Sequence, residues 1–194
     1  MTGDRQAGAV GAVALVGFMA SGKSAVGRLA AGVLAVPFVD VDALLERAHG
    51  PIAEQFAVHG EHAFRRRERD VAVAALGQAL TAPCVLALGG GAVLSGDVRE
   101  ALARLPHVAW LTAPVEVLWG RVCAEASGLR PLARDEASFR RLYAERAALY
   151  AQVATATVVN DGGRPLVEVA AEVAAVAAGT RAAAAAQGGS ASSS

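Results

Sequence analysis

Five short apolar runs, each followed by a longer segment of helical spacing, leave this chain few folds to choose from. The runs are VALVGF (13–18), PFVDVD (37–42), CVLALGGG (84–91), HVAWLT (107–112) and TATVVN (155–160). Each reads as a strand, and VALVGF as one buried in a core. Helical patterns follow in SAVGRLAAGVLA, in DALLERAHG ending at Gly50, and in two pieces over 51–80 broken near Gly60. Three more follow in SGDVREALARL, EASFRRLYAERAALYAQVA and PVEVLWGRVCAE, the last with proline at its first turn, where the missing N–H costs nothing. In RPLVEVAAEVAAVAAG, Leu166, Val169, Ala170, Val173 and Val176 recur at helical spacing up to Gly179. Strands alternating with helices imply an α/β fold, a parallel sheet covered by helices on both faces.

The patterned body runs from 12 to 178. Residues 1–11 read as a loose leader, and 179–194 as an Ala/Gly/Ser-rich tail or linker. With 54% apolar and 19% charged residues the body can fill a core, and one domain is expected. The formal net charge of zero gives no basic surface for nucleic acid. The apolar stretch 12–20 is too short to span a membrane, and no secretory signal precedes it. Cys84 and Cys123 lack metal-ligand spacing and read as reduced thiols of a cytoplasmic protein. No further apolar face stands out, so a monomer is expected.

The chemistry begins where the first strand ends. GFMASGKS, Gly17 to Ser24, fits G-x-x-x-x-G-K-[ST] and stands between a strand and a helix, as a phosphate-binding loop requires. Lys23 is the only lysine among the 18 Lys and Arg residues. A triphosphate cradled by successive backbone N–H groups needs small residues around it and the positive end of a helix dipole beneath it. Lysine reaches the β- and γ-phosphates as a compact charge on a long stem, where the broad arginine fork does not fit. ATP is therefore expected on Gly17, Ala20, Ser21, Gly22, Lys23, Ser24 and Ala25, with the Ser24 hydroxyl offered to Mg²⁺.

Other segments point to a second substrate. Asp40 and Asp42 in FVDVD are two apart, so strand alternation aims both at the sheet edge where ligands bind. One can hold the water shell of magnesium and the other accept from substrate hydroxyls; Asp42 can also cap the following helix. In GEHAFRRRE, Glu68 stands three residues after Arg65 and can hold its guanidinium as a carboxylate clamp, while Arg66 and Arg67 read as a solvated face. Gly89, Gly90 and Gly91 exceed what a turn needs and suggest close approach by a ligand or backbone. GLRPL carries Arg130 in a lid-like stretch, positioned to meet the γ-phosphate, and Arg146 in ERAALY offers a second carboxylate clamp.

Taken in order, GFMASGKS, FVDVD, GEHAFRRRE, LGGGAV, LRPL and ERAALY resemble the shikimate kinases over residues 12–178. The resemblance implies a P-loop fold of the nucleoside-monophosphate-kinase type, with a lid and a five-stranded parallel sheet in the order 2-3-1-4-5. It implies transfer of the ATP γ-phosphoryl group to the 3-hydroxyl of shikimate. By position, Asp42 would bind the shikimate hydroxyls and assist deprotonation, while Arg65, Arg146 and the backbone near Gly90 would receive its carboxylate. Ser24 and, through water, Asp40 would hold Mg²⁺. Lys23 and Arg130 would stabilise the transferring group, and Arg164 would lie beside adenine.

The chain departs from the family pattern in places. Ala20 replaces a usual glycine, which suits only a backbone that does not need positive φ, and Ala25 replaces a frequent threonine. Cys123 stands where the family often has an arginine against adenine. Either Arg121 takes that place after a small shift, or the nucleotide is bound less tightly. A gluconate-type kinase shares the scaffold but fits the Arg65–Glu68 pair and triple glycine poorly. A nucleotide-binding protein without catalysis is the rival from another class.

Overall fold

The structure is a computed structural model that describes residues 11–124 and 135–179. Arg130 with its lid stretch, the leader up to residue 10 and the tail from 180 lie outside the described residues.

Five strands form one parallel sheet: β1 (Val13–Val16), β2 (Phe38–Asp40), β3 (Val85–Ala87), β4 (His107–Thr112) and β5 (Ala156–Val159). Their order is β2-β3-β1-β4-β5, as the resemblance implied. The helices are α1 (Lys23–Leu34), α2 (Val41–His49), α3 (Ile52–Ala79), α4 (Gly96–Ala103), α5 (Val115–Ala124), α6 (Glu136–Val153) and α7 (Leu166–Ala177). The single apolar runs are explained by two cores. In β1, Val13 and Leu15 face a core shared with Val26 and Ala30 of α1 and Val169 and Val173 of α7. Ala14 and Val16 face the opposite core, with Leu76 of α3, Leu118 of α5 and Phe139 of α6. Each fully buried Val or Leu contributes about 1.5–3 kcal/mol, so a strand covered on both faces must be apolar at every position.

Two local features differ from the sequence reading. The strand in PFVDVD ends at Asp40, and Asp42 lies in the first turn of α2. Asp40, in extended conformation, is the helix N-cap, and its carboxylate accepts from the Ala43 N–H at 3.5 Å. Strand alternation thus does not aim the two carboxylates; a helix start does. Between β3 and α4 a 3₁₀ turn at Ala92–Leu94 carries the chain off the triple glycine. The break near Gly60 is present: its φ of +74° splits α3 into two pieces.

The chain crosses from β1 leftward to β2 and β3, then rightward to β4 and β5. The order reverses beside β1, and the carboxyl ends of β1 and β3 open into the crevice that such a reversal creates.

Candidate active site

The loop from Gly17 to Gly22 joins β1 to α1 and is built around backbone. Gly17 has φ of +150°, and a Cβ there would stand 2.3 Å from the Leu111 carbonyl oxygen. Gly22, with φ of +91°, is the N-cap of α1, so the first free amides of the helix face the loop. Lys23 folds over it. Its Nζ donates to the carbonyls of Gly17 at 2.9 Å and Phe18 at 2.8 Å, and to Ser21 Oγ at 3.4 Å. Ser24 Oγ donates to Asp40 Oδ2 at 2.7 Å, which brings the two expected metal-side residues together across 16 positions of sequence. Ala25, in the first turn of α1, is exposed.

Ala20 does not meet the condition set for an alanine. Its φ is +59°, in the left-handed region, so the position does take positive φ and carries a side chain nonetheless.

The residues expected on the acceptor side converge at the end of β3. Arg65 Nη1 donates to Glu68 Oε2 at 2.6 Å, with Glu61 a looser partner at 3.4 Å. The Arg65 guanidinium also lies 5.2 Å from the centre of the Phe64 ring and 5.9 Å from that of Phe56. Gly89 leaves room for carboxylates: a Cβ there would stand 2.5 Å from Asp42 Oδ1 and 2.9 Å from Glu68 Oε1. Gly91 leaves room for the clamp, since a Cβ there would stand 2.0 Å from Arg65 Nη1. The Gly90 carbonyl accepts from Tyr150 Oη at 2.5 Å and from Arg146 Nη1 at 3.3 Å. Three glycines are thus used by close approach of three different groups.

Arg146 is 4% exposed and stacks its cation 5.5 Å from the centre of the Phe18 ring. Burial pushes the Glu68 carboxyl above its ordinary range, against the downward pull of Arg65; Asp42 and Arg146 also act on it electrostatically. Asp42, Arg65, Glu68 and Arg146 therefore form one electrostatic cluster. Burial likewise raises the Tyr150 phenol, which stays a hydroxyl donor.

The phosphate loop and this cluster are neighbours. A Cβ on Gly90 would lie 3.4 Å from the Met19 amide nitrogen and 3.5 Å from the Gly17 carbonyl oxygen. A group held by the cluster is thus set beside a group held by the loop.

Three residues in this region make contacts that sequence reading does not supply, although it names Arg121 as one alternative for the place left by Cys123. Tyr150, one turn after Arg146, is fully buried under Gly90. Asn160, directly after β5, is buried and donates to the Ser21 carbonyl at 2.9 Å. Arg121 of α5, rather than exposed Cys123, turns to the loop and donates to the Ala20 carbonyl at 3.3 Å. The i, i+4 spacing of Arg146 and Tyr150 was a usable signal; the other two contacts cross more than a hundred residues. Arg164, just before α7, donates to the Val159 carbonyl at 3.0 Å and pairs with Glu172 of α7.

Comparison with known proteins agrees with this geometry. The sequence profile of the family described as shikimate kinase matches residues 19–178. The shikimate kinase of Symbiobacterium thermophilum is 45% identical over 166 residues, 83% of this chain and 92% of the relative. That of Ruegeria pomeroyi is 42% identical over 154 residues, 77% of this chain and 76% of the relative. Among solved structures, the shikimate kinase from Acinetobacter baumannii in complex with shikimate superposes with a TM-score of 0.77 at 33% identity, covering 86% of this chain and 92% of that one. A gluconokinase from Sinorhizobium meliloti, at a TM-score of 0.57 and 22% identity, shares the fold.

Proposed function

The chain belongs to the shikimate kinase family, and on that footing we propose that it transfers the γ-phosphoryl group of ATP to the 3-hydroxyl of shikimate. The observation that carries this reading is the close approach of Gly90 to the loop at Gly17–Met19, which sets an acidic and cationic cluster beside the proposed triphosphate cradle. In the assignment, Arg65 and Arg146 bind the acceptor carboxylate and Asp42 its hydroxyls. The backbone at Gly89, Gly90 and Gly91 borders the bound ring. Glu68 fixes Arg65 from a buried position, so the fork is already set when substrate arrives.

The loop with Gly17, Ala20, Ser21, Gly22, Lys23, Ser24 and Ala25 holds the nucleotide phosphates, and Arg164 stands on the base side. The hydroxyl oxygen attacks the γ-phosphorus while the bond from that phosphorus to the β–γ bridging oxygen breaks, releasing ADP. Asp42 takes the hydroxyl proton. Lys23 exchanges its carbonyl partners for phosphate oxygens and balances the charge that builds during transfer. Arg130, assigned from the LRPL motif, adds a second cation over the γ-phosphate.

Kinases of this family work with a divalent metal, and we assign Mg²⁺. The adjacent hydroxyl of Ser24 and carboxylate of Asp40 are hard oxygen donors that suit it. Among the described residues no group of three or more His, Cys, Asp or Glu could hold a metal ion, so Ser24 and Asp40 are the residues that would hold it. When bound, the ion would supply charge neutralisation on the phosphate oxygens. Among the described residues no helix is long and apolar enough to cross a membrane. We place the enzyme in the cytoplasm as a monomer.

ADP release with Mg-ATP, compared across shikimate, gluconate and no acceptor, tests the assignment. Turnover only with shikimate is expected. Turnover with gluconate, or ATP binding without turnover on either acid, overturns it.

A further inference from the structure

The turn of the phosphate loop has two anchors that phosphate chemistry does not require. Ala20 holds φ at +59°, a conformation that costs a residue with a side chain about 1–2 kcal/mol. Its carbonyl accepts from Arg121 Nη1 at 3.3 Å, and the next carbonyl, that of Ser21, accepts from Asn160 Nδ2 at 2.9 Å. Asn160 is 2% exposed, and its Oδ1 has no hydrogen-bond partner among the described residues. Its amide is committed to that one donation. The Arg121 guanidinium also lies against the segment that carries Asn160: a Cβ on Gly162 would stand 3.6 Å from Arg121 Nη2. Two distant elements thus grip consecutive carbonyls of the one strained turn.

Resting on the reading that ATP occupies this loop, we propose that Arg121 and Asn160 are positioning residues that clasp Ala20–Ser21 and hold the left-handed turn in its ATP-binding form. An unclasped alanine relaxes toward negative φ, where alanine is more stable. The loop is then competent only part of the time, and apparent affinity falls by that fraction. Glycine has no such preference, so replacing Ala20 by glycine makes the clasp unnecessary. The clasp therefore explains how this chain tolerates alanine at position 20, and it acts on nucleotide and not on acceptor.

A double-mutant cycle on the full chain tests this, with Mg-ATP affinity by calorimetry, the shikimate KM by ADP release, and a melting curve to confirm folding. Arg121→Met is expected to weaken Mg-ATP binding about tenfold, with the shikimate KM within about twofold. In the Ala20→Gly background the same change is expected to cost about threefold or less. Arg121→Lys, which keeps a charged donor, is expected to recover part of the loss. Unchanged Mg-ATP affinity in Arg121→Met overturns the clasp. An equally large loss in the Ala20→Gly background shows Arg121 acting on the nucleotide itself and overturns its positioning role. If the unaltered chain binds no Mg-ATP, the ATP reading fails first and the clasp falls with it.

Discussion

Lys23 and Arg65 show how the same positive charge is put to different use. The first rests on loop carbonyls, partners it would exchange for phosphate oxygens in the proposed reaction; the second is locked to a buried carboxylate in the structure. Lys23→Ala is therefore expected to lower turnover about 100-fold or more while the shikimate KM stays nearly constant, as steady-state kinetics will show. Arg65→Ala and Arg146→Ala are expected to raise the shikimate KM, by about 2–5 kcal/mol in binding for a desolvated clamp. Arg146, the more buried, should stand at the upper end and also lower the melting temperature, because its guanidinium supports the Gly90 carbonyl. Glu68 adds a pH signature. Folding raises its pKa above 4.5, so the folded chain binds more protons than the unfolded one in the window above that value, and stability falls as pH rises through it. Glu68→Gln removes this fall. Urea unfolding of both proteins from about pH 4 to about pH 7 should show the wild type losing ground to the variant; a constant difference would remove burial as the governing effect. At this scale the charged residues of the site were legible because lysine, arginine and paired carboxylates are rare enough in a core to need a reason. Ala20 was not: backbone φ leaves no mark in side-chain type when the residue that occupies a left-handed position is not glycine.

Among the elements, the strands were legible and their ends were not. A strand covered on both faces must be apolar throughout, so β1 and β3 announce themselves, and β4 does so over its middle residues Val108–Leu111. The end of β2 depends on which of two aspartates caps α2, and both satisfy the local pattern; the winner is the one whose extended backbone lets its carboxylate meet the Ala43 amide. The 3₁₀ turn after β3 carries no periodicity of its own. Glycines in two connections should respond differently to alanine. Gly17→Ala forces a Cβ onto the Leu111 carbonyl at positive φ, and should cost about 2–4 kcal/mol of stability in thermal unfolding. Gly91→Ala meets only the far end of Arg65, which can swing away. It should lower the melting temperature by less than Gly17→Ala does, through a looser pair with buried Glu68, while raising the shikimate KM if the fork binds the acceptor as proposed. Equal loss of stability in both would mean that the β3 turn is as rigid as the phosphate loop.

For the whole molecule, the reversal of strand order beside β1 is what gathers residues from distant parts of the sequence at one edge. The contacts Arg121 to Ala20 and Asn160 to Ser21 span 101 and 139 positions, a separation at which no local pattern can report a pairing. What was legible at this scale came from several weak motifs in a fixed order, each placed by the same alternation of strand and helix. We propose that the patterned body is sufficient for activity: a chain trimmed to residues 11–179 should keep kcat/KM within about twofold and sediment at the mass of one chain. Finally, the absence of any other lysine gives the molecule an unusual chemical address. Apart from the chain terminus, its one amine is the half-buried Nζ held by Gly17 and Phe18. An acylating reagent that modifies amines should therefore add one group at Lys23, with mass spectrometry locating it unambiguously. Saturating ATP should shield that amine, so the extent of labelling becomes a direct count of vacant nucleotide sites.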